Sequence, residues 1–493
     1  MLRFENLIGG KKTAAASGKW MPSLDPYRNE NWCEIPDSGE ADVKAAVEAA
    51  KAAFESLAWS DLSATARGAL LRRLGDLIAA NAERLAALEV RDNGKLINEM
   101  MVQLKTIPQW FYYYGGLADK IEGSVLPINK ADHFVFTTWE PLGVVAAITA
   151  WNSPLLLLTW KLAPGLAAGN TFVVKPSEYA SASTIAFAEL FDEAGFPPGV
   201  INVICGTGQA VGAPLVAHPD VAKIAFTGSD AAGKAINRSA AESLKHVTLE
   251  LGGKSPNIVF EDADLDAAAA GVASGIFAAA GQTCIAGSRL LLQRSVHDVF
   301  LSKVRAMAEG VKIGDPLNPD TQMGPLANIP HYEKVLSCIA DAKKEGAVVV
   351  FGGESIISST GGLFVQPTIF GNVQNESRLA QREIFGPVLA VIPFDDEEDA
   401  LRLANNSNYG LASGVWTKDM ARAFRMSKRL QSGTVWVNTY RALSFMAPFG
   451  GYKDSGMGRE SGQEMIKGYM QPKTVWLNNS SQRPTNPFIM RLN

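Results

Sequence analysis

The chain has 493 residues, 47% of them hydrophobic and 19% charged, which suits two to four domains of roughly 150 residues, each around its own core. A formal net charge of −4, with no Lys/Arg block and no basic stripe interleaved with aromatics, excludes nucleic acid and acidic lipid as partners. The four cysteines, Cys33, Cys205, Cys284 and Cys338, lie far apart and form no CxxC pair, so a reduced, cytoplasmic compartment is expected.

In chain order, MLRFENLIGGKKTAAASGKW lacks the continuous apolar run of a signal peptide. Residues 40 to 120 read as helices, because GEADVKAAVEAAKAAFESL and TARGALLRRLGDLIAANAERLAALEV carry apolar residues at helical spacing. The texture then changes to short β-branched runs alternating with helical ones. GVVAAIT precedes a helix starting near Pro154, NTFVVKP a Ser/Ala-rich helix, INVICG the run QAVGAPLVAHP, and VAKIAFTG the run SDAAGKAINRSAAE. Four such units predict a parallel sheet with helical crossovers, whose ligands collect at the carboxyl ends of the strands. A second alternating region follows from 250 to 435: NIVF, a long helix, SRLLLQ, another helix, AVVVFGG, VLAVIPF, GVWT and GTVWVN. The segments near 121–140 and 471–493 read as strands outside both cores, an oligomerisation hairpin. Residues 143–160 are apolar but broken by Asn152, Ser153 and Pro154, and 267–288 are uncharged but rich in Ala, Gly and Ser; both are expected in a core and not in a membrane.

AAAGQTCIAGSR, residues 278 to 289, places Cys284 among small residues where nothing bulky shields the sulfur. Two glycine loops follow strands, Gly228-x4-Gly233 in FTGSDAAG and Gly206-x-Gly208-x3-Gly212 in CGTGQAVG. They either let backbone N–H groups and a helix N-terminus approach a phosphate or simply make tight strand–helix turns. Lys175 and Glu178 in VVKPSE either meet ribose hydroxyls or belong to a solvated loop, the commoner reading of such a pair by itself. Glu250, ending an apolar strand in TLELGGKSP, is a general base if it is desolvated and an ordinary strand-mouth acid if it is not. Asn152 in ITAWNSP is either an oxyanion donor or the cap of the helix beginning at Pro154. The five histidines are scattered, and there is no HExxH, no Cys/His cluster, no GxSxG elbow and no GxxxxGK[ST] loop, so no metal is expected.

The order of the motifs is more informative than any one of them. WNSP, KPSE, FTGS, ELGGKSP, GQTC, EIFGPV and PFGGYKDSGMGRE begin at residues 151, 175, 226, 250, 281, 383 and 448. Together they make the whole chain resemble the NAD(P)-dependent aldehyde dehydrogenase superfamily. The resemblance implies an α/β fold with a Rossmann-like cofactor domain (1–120 and 141–250), an α/β catalytic domain (251–470) and a small β oligomerisation hairpin (121–140 and 471–493), in a homodimer or homotetramer.

The same resemblance assigns roles. Cys284 becomes the nucleophile, Asn152 the oxyanion donor and Glu250 the base that activates water. Trp151, Lys175, Glu178, Gly212, Phe226, Gly228, Ser229, Gly233, Leu251, Glu383 and Phe385 are implied at the cofactor. NAD is favoured because Glu178 repels a 2′-phosphate, although Lys175 beside it leaves NADP possible. The implied substrate pocket comprises Ser153, Leu157, Trp160, Ile285, Phe445 and Phe449. Its lining suits an apolar aliphatic or aromatic aldehyde. Ala150 and Ser153 stand where the family often has Pro and an aromatic residue, which widens the pocket beside Asn152. Arg441 keeps a semialdehyde as an alternative. A CoA-acylating relative is the other, and Glu250 speaks against it.

Overall fold

Five of the β-branched runs become parallel strands: Val144–Ile148, Thr171–Lys175, Ile201–Val203, Val221–Thr227 and His246–Glu250. The structure, a computed structural model, describes residues 1–481 together with Asn486 and Phe488. Val144–Ile148 lies at the centre of this sheet. Thr171–Lys175 and Ile201–Val203 follow on one side, Val221–Thr227 and His246–Glu250 on the other. Chain direction across the sheet therefore reverses between Val144–Ile148 and Val221–Thr227, which opens a crevice at their carboxyl ends. Helices cover both faces, so every residue of Val144–Ile148 and Thr171–Lys175 is buried. That burial is why these strands read as continuous apolar runs without alternation.

The sheet is extended at its edges by pieces from distant parts of the chain. The hairpin Asn6–Ile8 and Lys11–Thr13 adds to Ile201–Val203, and Gly456–Met457 pairs antiparallel with Leu249 and Glu250. Helices Glu40–Glu55, Ala64–Ala80, Ala82–Asn93, Ile97–Thr106 and Pro108–Leu117 occupy the region read as helical.

Only Leu251 to Ser255 separate this sheet from a second one. The second sheet has seven strands in the order Val348–Phe351, Thr368–Gly371, Val388–Phe394, Arg289–Gln293, Pro256–Val259, Ala412–Trp416 and Thr434–Val437. All are parallel except the first, which is an antiparallel edge strand. The segment His133–Pro141 pairs with Met470–Asn478 over nine residues in antiparallel register. Residues 482–485, 487 and 489–493 of the expected oligomerisation segment lie outside the described residues. Among the described residues, no helix is long and apolar enough to cross a membrane.

Asn170 ties these parts together. Its Oδ1 accepts from the Gly143 N–H at 3.0 Å, and its Nδ2 donates to the carbonyls of Gly165 at 3.0 Å and Tyr469 at 2.9 Å. It thereby fixes the start of the central strand, the end of helix Pro154–Ala167 and the start of the Met470–Asn478 strand. Each buried polar group left unpaired costs about 1–3 kcal/mol. Asn170→Ala is therefore expected to lower the thermal midpoint clearly in a scanning-fluorimetry melt, and an unchanged midpoint would contradict this role.

Candidate active site

The carboxyl edge of the first sheet delivers Asn152, Lys175, Gly228 and Glu250 to one side of the molecule. A cleft of about 1240 Å³ lies there, lined by Lys175, Glu178, Gly212, Phe226, Gly228 and Ser229 among others. It shares Trp151, Gly228 and Ser229 with a second cleft of about 680 Å³ that holds Asn152, Leu157, Glu250, Leu251, Cys284, Glu383 and Phe385. The larger cleft fits a dinucleotide. Ser229 caps helix Asp230–Ala241 at its mouth, offering a helix N-terminus to a phosphate. Lys175 Nζ lies 3.3 Å from Glu178 Oε2, a donor–acceptor pair suited to ribose hydroxyls. Val216 and Ile236 furnish apolar walls for a flat base.

Cys284 follows an unusual piece of backbone. Helix Leu265–Phe277 ends, and Ala279, Ala280 and Gly281 take φ values of 56°, 51° and 71° in succession. Left-handed alanines cost of order 1 kcal/mol each, so the surroundings must hold them. Gln282 does so: its Nε2 donates to the carbonyls of Ala279 and Pro325, and its Oε1 accepts from the Ala327 N–H. Gly281 is pressed against the Gly386 carbonyl, where a Cβ has no room. The Gln282 carbonyl accepts from Asn152 Nδ2 at 3.2 Å, which fixes the amide beside the cysteine loop. Burial pushes the Cys284 thiol up to about 12, with the charges of Glu250 and Glu383 adding to it; its own backbone N–H and Lys95 oppose the shift.

Glu250 is buried, and neither carboxylate oxygen has a hydrogen-bond partner. Burial, and after it the charge of Glu460, raises its pKa well above the usual carboxylate range. Glu383 accepts from the Gly253 N–H at 2.9 Å and is raised by burial to about 7. At the mouth, Trp151 packs on His331 and edge-on to Phe385 at centroid distances of 5.0 and 5.3 Å. Burial lowers His331 to about 4, so it is a neutral imidazole whose Nε2–H donates to the Phe385 carbonyl at 2.7 Å.

The family model described as the Aldehyde dehydrogenase family matches residues 13–475. The (Z)-2-((N-methylformamido)methylene)-5-hydroxybutyrolactone dehydrogenase of Acinetobacter baylyi is 45% identical over the whole of both chains. Human mitochondrial aldehyde dehydrogenase is 44% identical over 94% of this chain and 89% of its own. Betaine aldehyde dehydrogenase from Staphylococcus aureus, solved with NAD+, superposes with a TM-score of 0.97 at 39% identity, covering 99% of this chain and 97% of its own. The NAD+ complex of an aldehyde dehydrogenase from Bacillus cereus gives 0.95 at 42%, covering 97% of each. The chain belongs to the aldehyde dehydrogenase family. It is an oxidoreductase, and its cofactor is NAD.

Within this aldehyde dehydrogenase, not every residue singled out from the sequence lines a cleft. Gly233 packs against the Leu251 side chain. Trp160, Ile285 and Phe449 belong to a buried apolar cluster against which Cys284 and Phe445 pack. Trp160 and Phe449 are 5.2 Å apart, and Phe445 lies against Trp110 and Tyr113. Ser153 occupies the cap position of helix Pro154–Ala167, yet its hydroxyl accepts from Lys95 Nζ at 3.1 Å and caps nothing.

Sequence reasoning missed the buried pair behind Glu250. Lys161 Nζ donates to Glu460 Oε1 at 2.6 Å and to Thr227 Oγ1 at 2.8 Å, with both charged side chains almost wholly enclosed. The available signals were a lone lysine inside the apolar helix LLLLTWKLAPGLA and a glutamate closing the last motif. His331 and Gln282 gave no signal of this kind.

With its pKa raised towards 12, the Cys284 thiol is protonated at neutral pH in the free enzyme. Iodoacetamide labelling that is lost in Cys284→Ala should accelerate steadily from pH 7 to 10 without levelling off. A plateau already reached at pH 7 would contradict the burial argument.

Proposed function

We propose that Cys284, Asn152 and Glu250 carry out the oxidation of the aldehyde to a carboxylic acid in two covalent stages. The observation that carries this reading is their convergence on one cleft, which joins the dinucleotide cleft at Trp151, Gly228 and Ser229. The Cys284 sulfur, once deprotonated, attacks the aldehyde carbon and forms a C–S bond. The carbonyl oxygen becomes an oxyanion beside the Asn152 amide and the Cys284 backbone N–H, a type of donor worth about 10²–10³ in rate. Bound NAD supplies the acceptor for the hydride that leaves this carbon as the C=O bond re-forms. A thioester then remains on Cys284.

Glu250 next takes a proton from water, the resulting hydroxide attacks the thioester carbon, and the thiolate departs as the acid is released. Its lack of hydrogen-bond partners suits this task, because an unpaired buried carboxylate is a stronger base than a solvated one. Glu460, Lys161 and Arg459 are the nearby charges able to respond to the proton it gains. Glu250 also favours water over CoA as the acyl acceptor.

Residues 1–120 with 141–250 are read as the NAD-binding domain and 251–470 as the catalytic domain. A homodimer or homotetramer through the paired strands His133–Pro141 and Met470–Asn478 accounts for the exposure of Phe134, Trp476 and Leu477 there. A cytoplasmic enzyme accords with four unpaired cysteines. Leu157, which lines the cleft together with Cys284, suits an apolar segment next to the aldehyde carbon.

Glu250→Gln should retain a burst of NADH close to one per active site and lose about 10²–10⁴ in steady-state turnover. Full steady-state turnover in that variant would overturn the assignment. Because the raised Glu250 must lose its proton to act, wild-type kcat should fall on the acid side at a pH well above the ~4.3 of an ordinary glutamate. A pH profile flat down to that value would contradict a desolvated base.

A further inference from the structure

Helix Ala82–Asn93 carries three buried polar side chains near its C-terminal end, Glu89, Asp92 and Asn93, and Lys95 just beyond it is buried too. Acids at this end meet the negative pole of the helix dipole, and burial raises both Glu89 and Asp92 to about 7. The placement disfavours the isolated helix, so tertiary partners must hold it. Asp92 has such partners: it accepts from Ser23 Oγ at 2.9 Å, Trp32 Nε1 at 3.2 Å and the Ala182 N–H at 2.8 Å. The other three side chains all turn to one short stretch of chain.

Asn93 Nδ2 donates to the Trp151 carbonyl at 3.2 Å, Lys95 Nζ donates to Ser153 Oγ at 3.1 Å, and Glu89 Oε1 accepts from the Leu155 N–H at 3.1 Å. Residues 151, 153 and 155 are thus gripped from one helix end, with Asn152 between two held neighbours. Its own amide reaches the Gln282 carbonyl instead. Local structure adds little, since Pro154 has no N–H and Ser153 does not cap the helix. The members of the grip brace one another: Asn93 Oδ1 accepts from the Lys95 N–H at 3.0 Å, and the charges of Glu89 and Lys95 each oppose the cost of burying the other. Gly94 between them takes a φ of 73°, and a Cβ there would lie 2.7 Å from Pro325 Cγ. The Pro325 carbonyl accepts from Gln282 Nε2 at 3.3 Å. One helix end therefore supports the amide of Asn152 directly and the cysteine loop through Pro325 and Gln282.

We propose that Glu89, Asn93 and Lys95 act together as positioning residues that aim the Asn152 amide at the oxyanion formed on the carbon bound to Cys284. The proposal rests on the reading of Asn152 as the oxyanion donor. It is tested by the rate of the NADH burst at saturating NAD, with propanal, hexanal and benzaldehyde, in Glu89→Ala, Asn93→Ala and Lys95→Met. Each variant is measured alone and combined with Asn152→Ala. Alone, each should slow the burst about 10- to 100-fold, the cost of a misplaced catalytic group, with NAD affinity unchanged in a tryptophan-fluorescence titration. Glu89→Gln keeps an acceptor for the Leu155 N–H and should recover most of what Glu89→Ala loses. Ser153→Ala deletes the Lys95 contact without removing a buried charge, and it should slow the burst even if Lys95→Met fails to fold. On the Asn152→Ala background the same changes should cost less than about 2-fold, because the group they act through is gone. Variants that keep the wild-type burst rate, or that lose the same factor with and without Asn152, would overturn the proposal while leaving the oxyanion assignment intact. If Asn152→Ala itself kept the wild-type burst rate, or no aldehyde reduced NAD, the parent reading would fall and this one with it.

Discussion

The molecule depends on one crowded turn. Strand His246–Glu250 ends the first sheet and Pro256–Val259 begins the second, so the residues between them must cross from one sheet to the other at once. They do it with Gly252 and Gly253 against the cysteine loop. A Cβ on Gly253 would lie 2.5 Å from the Cys284 carbonyl oxygen, well inside any real contact. The Gly253 N–H meanwhile donates to Glu383. Backbone touching backbone at this point brings Glu250, at the end of one sheet, and Cys284, on a loop of the other, to the same cleft. No pair of longer side chains could hold that spacing as tightly, because rotamer freedom would blur it.

Around this turn the chain keeps its buried titratable groups neutral or unpaired. The thiol is pushed up, Glu250 is raised and Glu383 is moved to about 7. In each case burial is the first cause. Such a site is costly to fold, since a desolvated acid without donors forgoes the hydrogen bonds that water gave it. The cost is local, and it is offset by the extensive apolar clusters that pack both sheets. The enclosed Lys161–Glu460 pair fits the same pattern: it is satisfied on Glu460 Oε1 and leaves Oε2 without a partner, and the charge of Glu460 adds to the shift of Glu250.

Much of this was legible in the sequence, for reasons that differ by element. The strands of both sheets were readable because burial on two faces demands unbroken β-branched runs, as in VVAAI and TFVVK. Asn152, Glu250 and Cys284 drew attention through the order of their motifs, each leaving a structural reading open by itself; Asn152 and Glu250 follow or end such runs, whereas Cys284 lies on a loop after a helix. The first 36 residues gave nothing, since their strands are two to seven residues long and partly exposed. Lys161 was hidden because its partner is 299 positions away, and a charged residue in an apolar helix has no reading until that partner is known. Gln282 was visible only as a polar residue beside the cysteine; its hold on Ala279, Pro325 and Ala327 belongs to tertiary structure alone.

The central claim is that the substrate is carried on Cys284 and freed by Glu250. The most direct measurement is peptide mass mapping of Glu250→Gln quenched after reaction with an aldehyde and NAD. The account predicts an acyl group of the mass of the aldehyde less one hydrogen, confined to the peptide containing Cys284. NADH formed without any adduct, or an adduct on Cys33, Cys205 or Cys338, would contradict it.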